Sequence, residues 1–502
     1  MPGAWRSATP SDTMSAAGAP RRPYAREPLM LRRILLTILA LAGFATPAAA
    51  KSDAPSRAAD SLLVSAVSIV DTVDGTVSPP RDILVVDGKI AEIAEAGTIA
   101  RDKALKVVEA SGAFALPGLI DVHAHLGDGG AGSQSEKDRE QALGQFLRYG
   151  VTTIFVPGGS GANDDAFATW RRRCSAGEIA CPGLYGSGSI ITAVGSHPVT
   201  TIFGLPADAD DALLHEIGVT TIRPGDDVRG LIASKVARGA DAIKIVIEDG
   251  PPPWYPKPRL TDAQVAALVA AAHDLNVPVH AHVSRADHVA AGLAGGIDAI
   301  MHSPLDPLSD ALLEKMAQDD VFYVATLALY DGIRQWTSGQ EEADPFALAG
   351  ITPRSVTTLR DPGFIAAAPE SVAQAQGYLD AAADNLRRAS AAGVPMALGT
   401  DTNNPFVYPG HSAHEELALM VGFGLTPHQA LRAATVGGAT FLGKMDTLGR
   451  IAEGYEADML IVDRDPLKDI LNARAIRQVI SDGRIVENVV SAAPYRAAGA
   501  SE

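Results

Sequence analysis

The sequence predicts an α/β chain: a (β/α)8 TIM barrel with a small β-sandwich domain built from both ends of the chain. Three observations predict it. Short apolar β runs alternate with amphipathic helical runs over residues 116–443. β-rich runs joined by Asp-Gly turns flank that stretch on both sides. Polar residues of metal-ligating type fall where successive strands end, and in a barrel those ends form the mouth of the active site. No glycine fingerprint for a dinucleotide or phosphate follows an early strand, which argues against a doubly wound sheet.

A chain of 502 residues has room for a large catalytic domain and a smaller one. Its 59 acidic residues outnumber 42 basic ones, for a formal charge of −17. That balance argues against nucleic acid and against an anionic membrane as partners. A small-molecule substrate is the expected partner, and a homo-oligomer is compatible with the reading. Residues 1–50 read as a disordered leader and signal peptide. Met30-Leu31-Arg32-Arg33 is basic, Ile34 to Ala45 is apolar, and Ala48-Ala49-Ala50 supplies small residues before a polar stretch. The expectation is an exported, periplasmic protein with a signal peptide at about residues 30–50. A membrane anchor is the alternative, although the run is short for a span. Export would permit a disulfide between Cys174 and Cys181; two free thiols are the other reading.

The first β domain segment covers residues 58–114. Leu62 to Val70 is one strand, and Asp82 to Val86 turns through Asp87-Gly88 into Lys89 to Ile93. The second segment, 445–490, repeats this grammar: Ala457 to Val462, Ala475 to Ile480, then Asp482-Gly483 and Arg484 to Val486. Between them, strands are expected at 152–156, 242–247, 277–280, 299–302, 321–325 and 395–399. Helices are expected at 261–275, 308–318, 370–392 and 411–422.

The chemistry lies at the strand ends. In Leu119-Ile120-Asp121-Val122-His123-Ala124-His125, strand alternation points His123 and His125 the same way, so two imidazoles can grip one metal. Lys244 lies within an apolar β run, where an unpaired ammonium is costly to bury. His280 and His282 end the strand begun at Val277, His302 ends Ala299-Ile300-Met301, and Asp401 follows Ala397-Leu398-Gly399-Thr400. Each alone is weak evidence. Five strand ends all carrying such residues point to a metal site.

This order of HxH, Lys, His, His and Asp resembles the amidohydrolase superfamily. Within it, the chain is similar to the imidazolonepropionase-like and Xaa-Pro dipeptidase-like hydrolases. The likeness covers roughly residues 60–490 and includes Leu116 to His125, Ala397 to Asp401, Gly424 to Thr435 and Gly449 to Asp463. It implies two divalent metal ions, with zinc expected and Mn or Fe compatible. It implies that His123 and His125 bind the more buried ion and that Lys244 is N-carboxylated to bridge both. An unmodified Lys244 paired with Glu248 or Asp249 is the alternative. His280 and His302 would bind the second ion, with His282 as the alternative ligand or a substrate contact. Asp401 would contact a metal and act as catalytic acid and base. Hydrolysis of an amide or peptide-like C–N bond of a small substrate, such as a dipeptide or N-acyl amino acid, by a metal-bridging hydroxide is the implied reaction. His197, in Gly195-Ser196-His197-Pro198, resembles a substrate-facing histidine of the family. Tyr255 falls in a loop expected to cover the mouth.

Three alternatives are set beside this. A mononuclear deaminase or cyclic-imide hydrolase on the same fold typically lacks the Lys and has an acid three residues after the strand-five His, where this chain has Val283. A lactonase would use the same hydroxide on an ester. A non-catalytic exported binding protein is a different class, and the complete ligand set argues against it.

Overall fold

Strands from both ends of the chain share one sheet. Its order is Arg484–Ile485, Ile476–Ser481, Met459–Val462, Phe114–Pro117, Ser61–Asp71, Thr76–Val86 and Lys89–Glu95, with Lys106–Glu109 pairing to Ser61–Asp71 off that path. The computed structural model describes residues 61–126, 135–159, 161–250, 255–339, 344–350 and 371–492. The leader assigned to 1–50 lies outside them. Among the described residues no helix is long and apolar enough to cross a membrane.

The two chain ends meet where Met459 lies opposite Pro117 and Val462 opposite Phe114, antiparallel. Both Asp-Gly turns adopt the left-handed backbone that a type I′ hairpin demands. Asp87 and Gly88 have φ of 50° and 78°, and Asp482 and Gly483 have 49° and 70°. The long first strand changes partner midway. Leu62–Ser65 pairs with Lys106–Glu109, and Ser68–Ile69 pairs with Phe114–Ala115. The switch falls at a bulge, where Ala66 has φ 57° and donates its N–H to Asp82 Oδ1 at 3.0 Å. The expected sandwich is therefore one continuous eight-stranded sheet by hydrogen bonding, because this strand serves both halves. Alternation along it sends Leu62 and Val64 into one apolar cluster with Ile83 and Met459, and Leu63 into another with Leu84 and Ile99.

The middle of the chain forms two parallel sheets. One has the order Val219–Ile222, Ile190–Ala193, Ile243–Val246, Val279–His282, Ala299–Met301, Phe322–Val324, and the other Leu119–Asp121, Val151–Val156, Gly183–Gly186. Backbone bonds tie the two sheets together. Asp241 N donates to Gly186 O at 2.8 Å, and Val122 N donates to Leu398 O at 2.8 Å. Tyr323 forms a parallel bridge with Met396. The strand expected at 395–399 is present only as that bridge and link. Its residues nevertheless lie between the edge strands Phe322–Val324 and Leu119–Asp121. The strand expected at 277–280 is displaced to Val279–His282, which places both histidines in the ladder.

Helices Asp262–His273, Asp310–Gln318, Val372–Ala391 and His411–Gly422 lie close to their expected ranges. Three of them start where a side chain answers the free N–H groups of a first turn. Thr261 forms a capping box with Gln264, and Ser309 and Ser371 accept from the residue three further on. Cys174, at the end of helix Asp164–Ser175, is bonded to Cys181, which resolves the pairing that spacing had left open.

The parallel strands Val151–Val156 and Ile243–Val246 are buried along their whole length, as sheets covered on both faces require. Their core continues into the composite sheet through Leu116, Leu460, Val462 and Val479. Leu460 is fully buried, and its side chain fills the space a Cβ on Gly150 would occupy. Leu460→Ala is expected to lower unfolding free energy by about 2–5 kcal/mol. A falling urea midpoint with an unchanged native far-UV spectrum would show it; an unchanged midpoint would deny that this leucine joins the two parts.

Candidate metal centre

The site is assembled from strand ends that alternation aims inward. His123 and His125 lie just past Leu119–Asp121, their ring centroids 5.4 Å apart. Asp401 reaches both: its Oδ1 lies 3.4 Å from His123 Nε2 and 3.1 Å from His125 Nε2. Its Oδ2 lies 3.7 Å from His302 Nδ1. The His302 ring is 4.6 Å from that of His123 and 4.5 Å from that of His282. His123, His125 and Asp401 offer ligand atoms mutually within 4.8 Å, and so do His197, Glu248 and His282.

Local backbone fixes these positions. His302, Thr326 and Asp401 have φ of 76°, 50° and 62°. Non-glycine residues rarely enter this left-handed region, and it is concentrated where a site over-determines the chain. Asp401 N donates to His123 O at 2.8 Å. The buried Asp121 carboxylate accepts from His123 N at 3.0 Å, Thr400 N at 3.2 Å and Thr400 Oγ1 at 2.6 Å. It thereby ties the first strand end to the last. Gly399 makes this approach feasible, because a Cβ there would stand 2.8 Å from His123 Cβ and 2.5 Å from Val324 Cγ1.

His302 is held by Thr326 Oγ1, 3.0 Å from its Nδ1. Thr326 precedes helix Leu327–Ser338 without capping it by its own side chain. The buried Glu416 does so instead, accepting from Ala328 N at 2.7 Å.

Burial governs the electrostatics. Desolvation pushes His123 and His302 well below the ordinary imidazole range, and the neighbouring Lys244 and imidazoles push in the same direction. It takes His282 down to about 3 and His197 to about 4. Neutral imidazoles have free lone pairs, which is the state a metal requires. Lys244 is 2% exposed. Desolvation lowers its ammonium to about 7 against the pull of Asp401, and its Nζ has no hydrogen-bond partner. Lys235 is equally buried but has Asp164 at 2.8 Å. The Glu248 or Asp249 pairing considered for Lys244 is therefore not formed. Glu248 contacts His282, and Asp249 engages His288 at 3.0 Å and Arg285 at 3.3 Å.

The structure thus gathers His123, His125, Lys244, His282, His302, Asp401 and His197. His197 stacks on His282 at 4.8 Å with its Nδ1 on Thr201 Oγ1 at 2.7 Å. His280 stands apart from Asp401, packed between Phe441 at 4.3 Å and Phe155 at 5.2 Å. Tyr255 is 54% exposed, with the Arg285 guanidinium 5.1 Å from its ring centroid. Sequence reasoning missed Glu248 as a site residue. The available signal was parity, since residues 244, 246 and 248 share a strand face.

Asp121→Ala leaves three buried donors unanswered and is expected to cost about 3 kcal/mol, with weaker binding of divalent metal; equal urea midpoints would refute the tie. Glu416 gives a pH signature. Burial raises its carboxyl from 4.5 to about 8, so the folded state holds a proton that the unfolded state releases. Stability is expected to fall as pH rises from 4.5 through about 8, and Glu416→Gln is expected to lose that component of the slope. Parallel pH–stability curves for the two proteins would count against it.

Comparison with known proteins identifies the family. The model of the amidohydrolase family matches residues 114–486. Ochratoxinase of Aspergillus niger is 26% identical over 403 residues, covering 74% of this chain and 75% of that protein. Imidazolonepropionase of Shouchella clausii is 25% identical over 430 residues, covering 81% and 85%. Among solved structures, a Xaa-Pro dipeptidase with bound methionine in its active site superposes with a TM-score of 0.69 at 23% identity, covering 85% of this chain and 99% of that one. The chain belongs to the amidohydrolase family and is a hydrolase of the class that acts on carbon–nitrogen bonds.

Proposed function

We propose a binuclear, metal-dependent hydrolase that cleaves the amide or peptide-like bond of a small substrate such as a dipeptide or an N-acyl amino acid. The supporting observation is the convergence of His123, His125, His282, His302 and Lys244 around Asp401. In this reading the edge links of the two parallel sheets close a (β/α)8 barrel over residues 116–443, with segments 58–114 and 445–490 as the second domain. The leader at 1–50 exports the chain to the periplasm.

The donor set fits divalent metal. It combines imidazoles, a carboxylate and a buried amine whose Nζ has no partner. His123, His125 and Asp401 would hold one ion. His282 and His302 would hold the other, with Lys244, as its carbamate, between them. We assign His282 in place of His280 because its ring adjoins His302, whereas His280 lies against Phe155 and Phe441. Bound metal, zinc by expectation, would supply an activated water near neutral pH and polarise the scissile carbonyl.

The chain's own residues do the rest. Asp401 takes the proton of the nucleophile and delivers it to the leaving nitrogen. Asp121 and Thr400 hold Asp401 against His123 through that step. His197 and Tyr255 would contact substrate. The relatives, among them an imidazolonepropionase and a Xaa-Pro dipeptidase, support C–N cleavage rather than ester chemistry.

Asp401→Asn is expected to lower kcat by about 10²- to 10⁴-fold while most metal is retained; undiminished turnover would remove its role. Lys244→Ala is expected to lose metal, and short carboxylic acids should restore part of it. The deciding experiment pairs metal analysis with a panel of dipeptides, N-acyl amino acids, lactones and imides. Two ions per chain with dipeptide or acyl-amino-acid turnover supports the proposal. One ion with imide turnover would replace it.

A further inference from the structure

Glu248 is fully buried, and its Oε1 makes no hydrogen bond. Its Oε2 contacts His282 Nε2. The position follows from the ladder: Val246 lies beside His282, and Ile247 N donates to His282 O at 3.0 Å, so the strand continues until Glu248 faces the mouth. His197 arrives from the loop after Ile190–Ala193. Thr192 Oγ1 donates to His197 O at 2.8 Å, and Thr201 Oγ1 lies 2.7 Å from its Nδ1. That leaves Nε2 as the atom free for a ligand. Two imidazoles and a carboxylate, with ligand atoms within 4.8 Å of one another, make a cation site of ordinary composition.

Charge argues the same way. A buried carboxylate with one bare oxygen is costly unless a cation answers it. Lys244 does not pair with it, and Arg285 and His288 are engaged by Asp249. We propose that the divalent ion at His282 is also held by Glu248 and His197, with Glu248 as an anionic ligand. The inference rests on the two-ion reading above but does not require carboxylation of Lys244. It gives the second ion a carboxylate of its own, as Asp401 does for the first.

The test is zinc content of the full chain after dialysis against metal-free buffer, with Zn2+ affinity from chelator competition. Wild type is expected to hold two ions. Glu248→Gln is expected to lose one, or to bind it roughly 10- to 100-fold more weakly, and His197→Gln to weaken the same ion. Glu248→Gln that binds both ions as tightly as wild type would overturn the inference and leave the hydrolase reading intact. A single wild-type ion lost in Glu248→Gln but kept in His123→Asn would support this site and sink the two-ion reading. A single ion kept in Glu248→Gln and lost in His123→Asn would sink both. If Glu248→Gln does not fold, Glu248→Asp loaded with Co2+ takes its place: shifted visible bands support ligation, and a spectrum identical to wild type overturns it.

Discussion

The fold is organised around an electrostatic difficulty. It brings five imidazoles, an amine and two carboxylates into a mouth from which water is largely excluded. Desolvation keeps His123, His197, His282 and His302 neutral, so these four are stable as an array of lone pairs and would be unstable as an array of cations. Lys244 marks the point of greatest tension. Lys235 shows how this chain buries an ammonium when structure alone is at stake, by giving it Asp164. Lys244 has no such partner. Left-handed backbone at His302, Thr326 and Asp401 shows that the surrounding packing forces the geometry on the chain.

The supports for that geometry are long-range. Asp121 and Thr400 are 279 residues apart, yet they share a 2.6 Å hydrogen bond. Through it the first strand end and the last are held together, and Asp401 cannot drift from His123 and His125. Glu416 acts at one more remove. It caps the helix that Thr326 precedes, and Thr326 orients His302. The composite sheet contributes through shared core: Leu460 belongs to the apolar cluster that the parallel strands form with their helices. A change far from the candidate metal ligands therefore reaches them by displacing a strand end.

Much of this was legible in the sequence, because it rests on periodicity. Helix ranges came close, and both Asp-Gly turns took the backbone their composition demands. Parity identified His123 with His125 and His280 with His282. Parity cannot say how far along the strand direction a residue lies relative to its neighbours. His280 sits beside Phe155 and Phe441 while His282 sits beside His302, and that difference needs the register of three strands at once. The segment at 395–399 read as a strand from its apolar residues, but it spends its backbone hydrogen bonds on Tyr323, Val122 and Ala433 rather than on a continuous ladder. The Cys174–Cys181 bond was likewise open to spacing alone, since the helix end and return that bring them together are tertiary facts.

Glu248 and Asp249 show how much one residue of phase decides. They are adjacent, both acidic, and both at the end of the same strand. Alternation turns Asp249 outward, where His288 and Arg285 take its two oxygens and leave it a structural anchor. It turns Glu248 inward, beside His282 and His197, with one oxygen bare. Composition sees two equivalent carboxylates, and only the pleat separates an anchor for the loop from a group that can answer a dication. The same rule places Lys244 on the inner face two steps earlier. The inner face of this one strand thus carries an amine without a hydrogen-bond partner and a carboxylate with one oxygen bare, which is the pair that the proposed metal centre would answer.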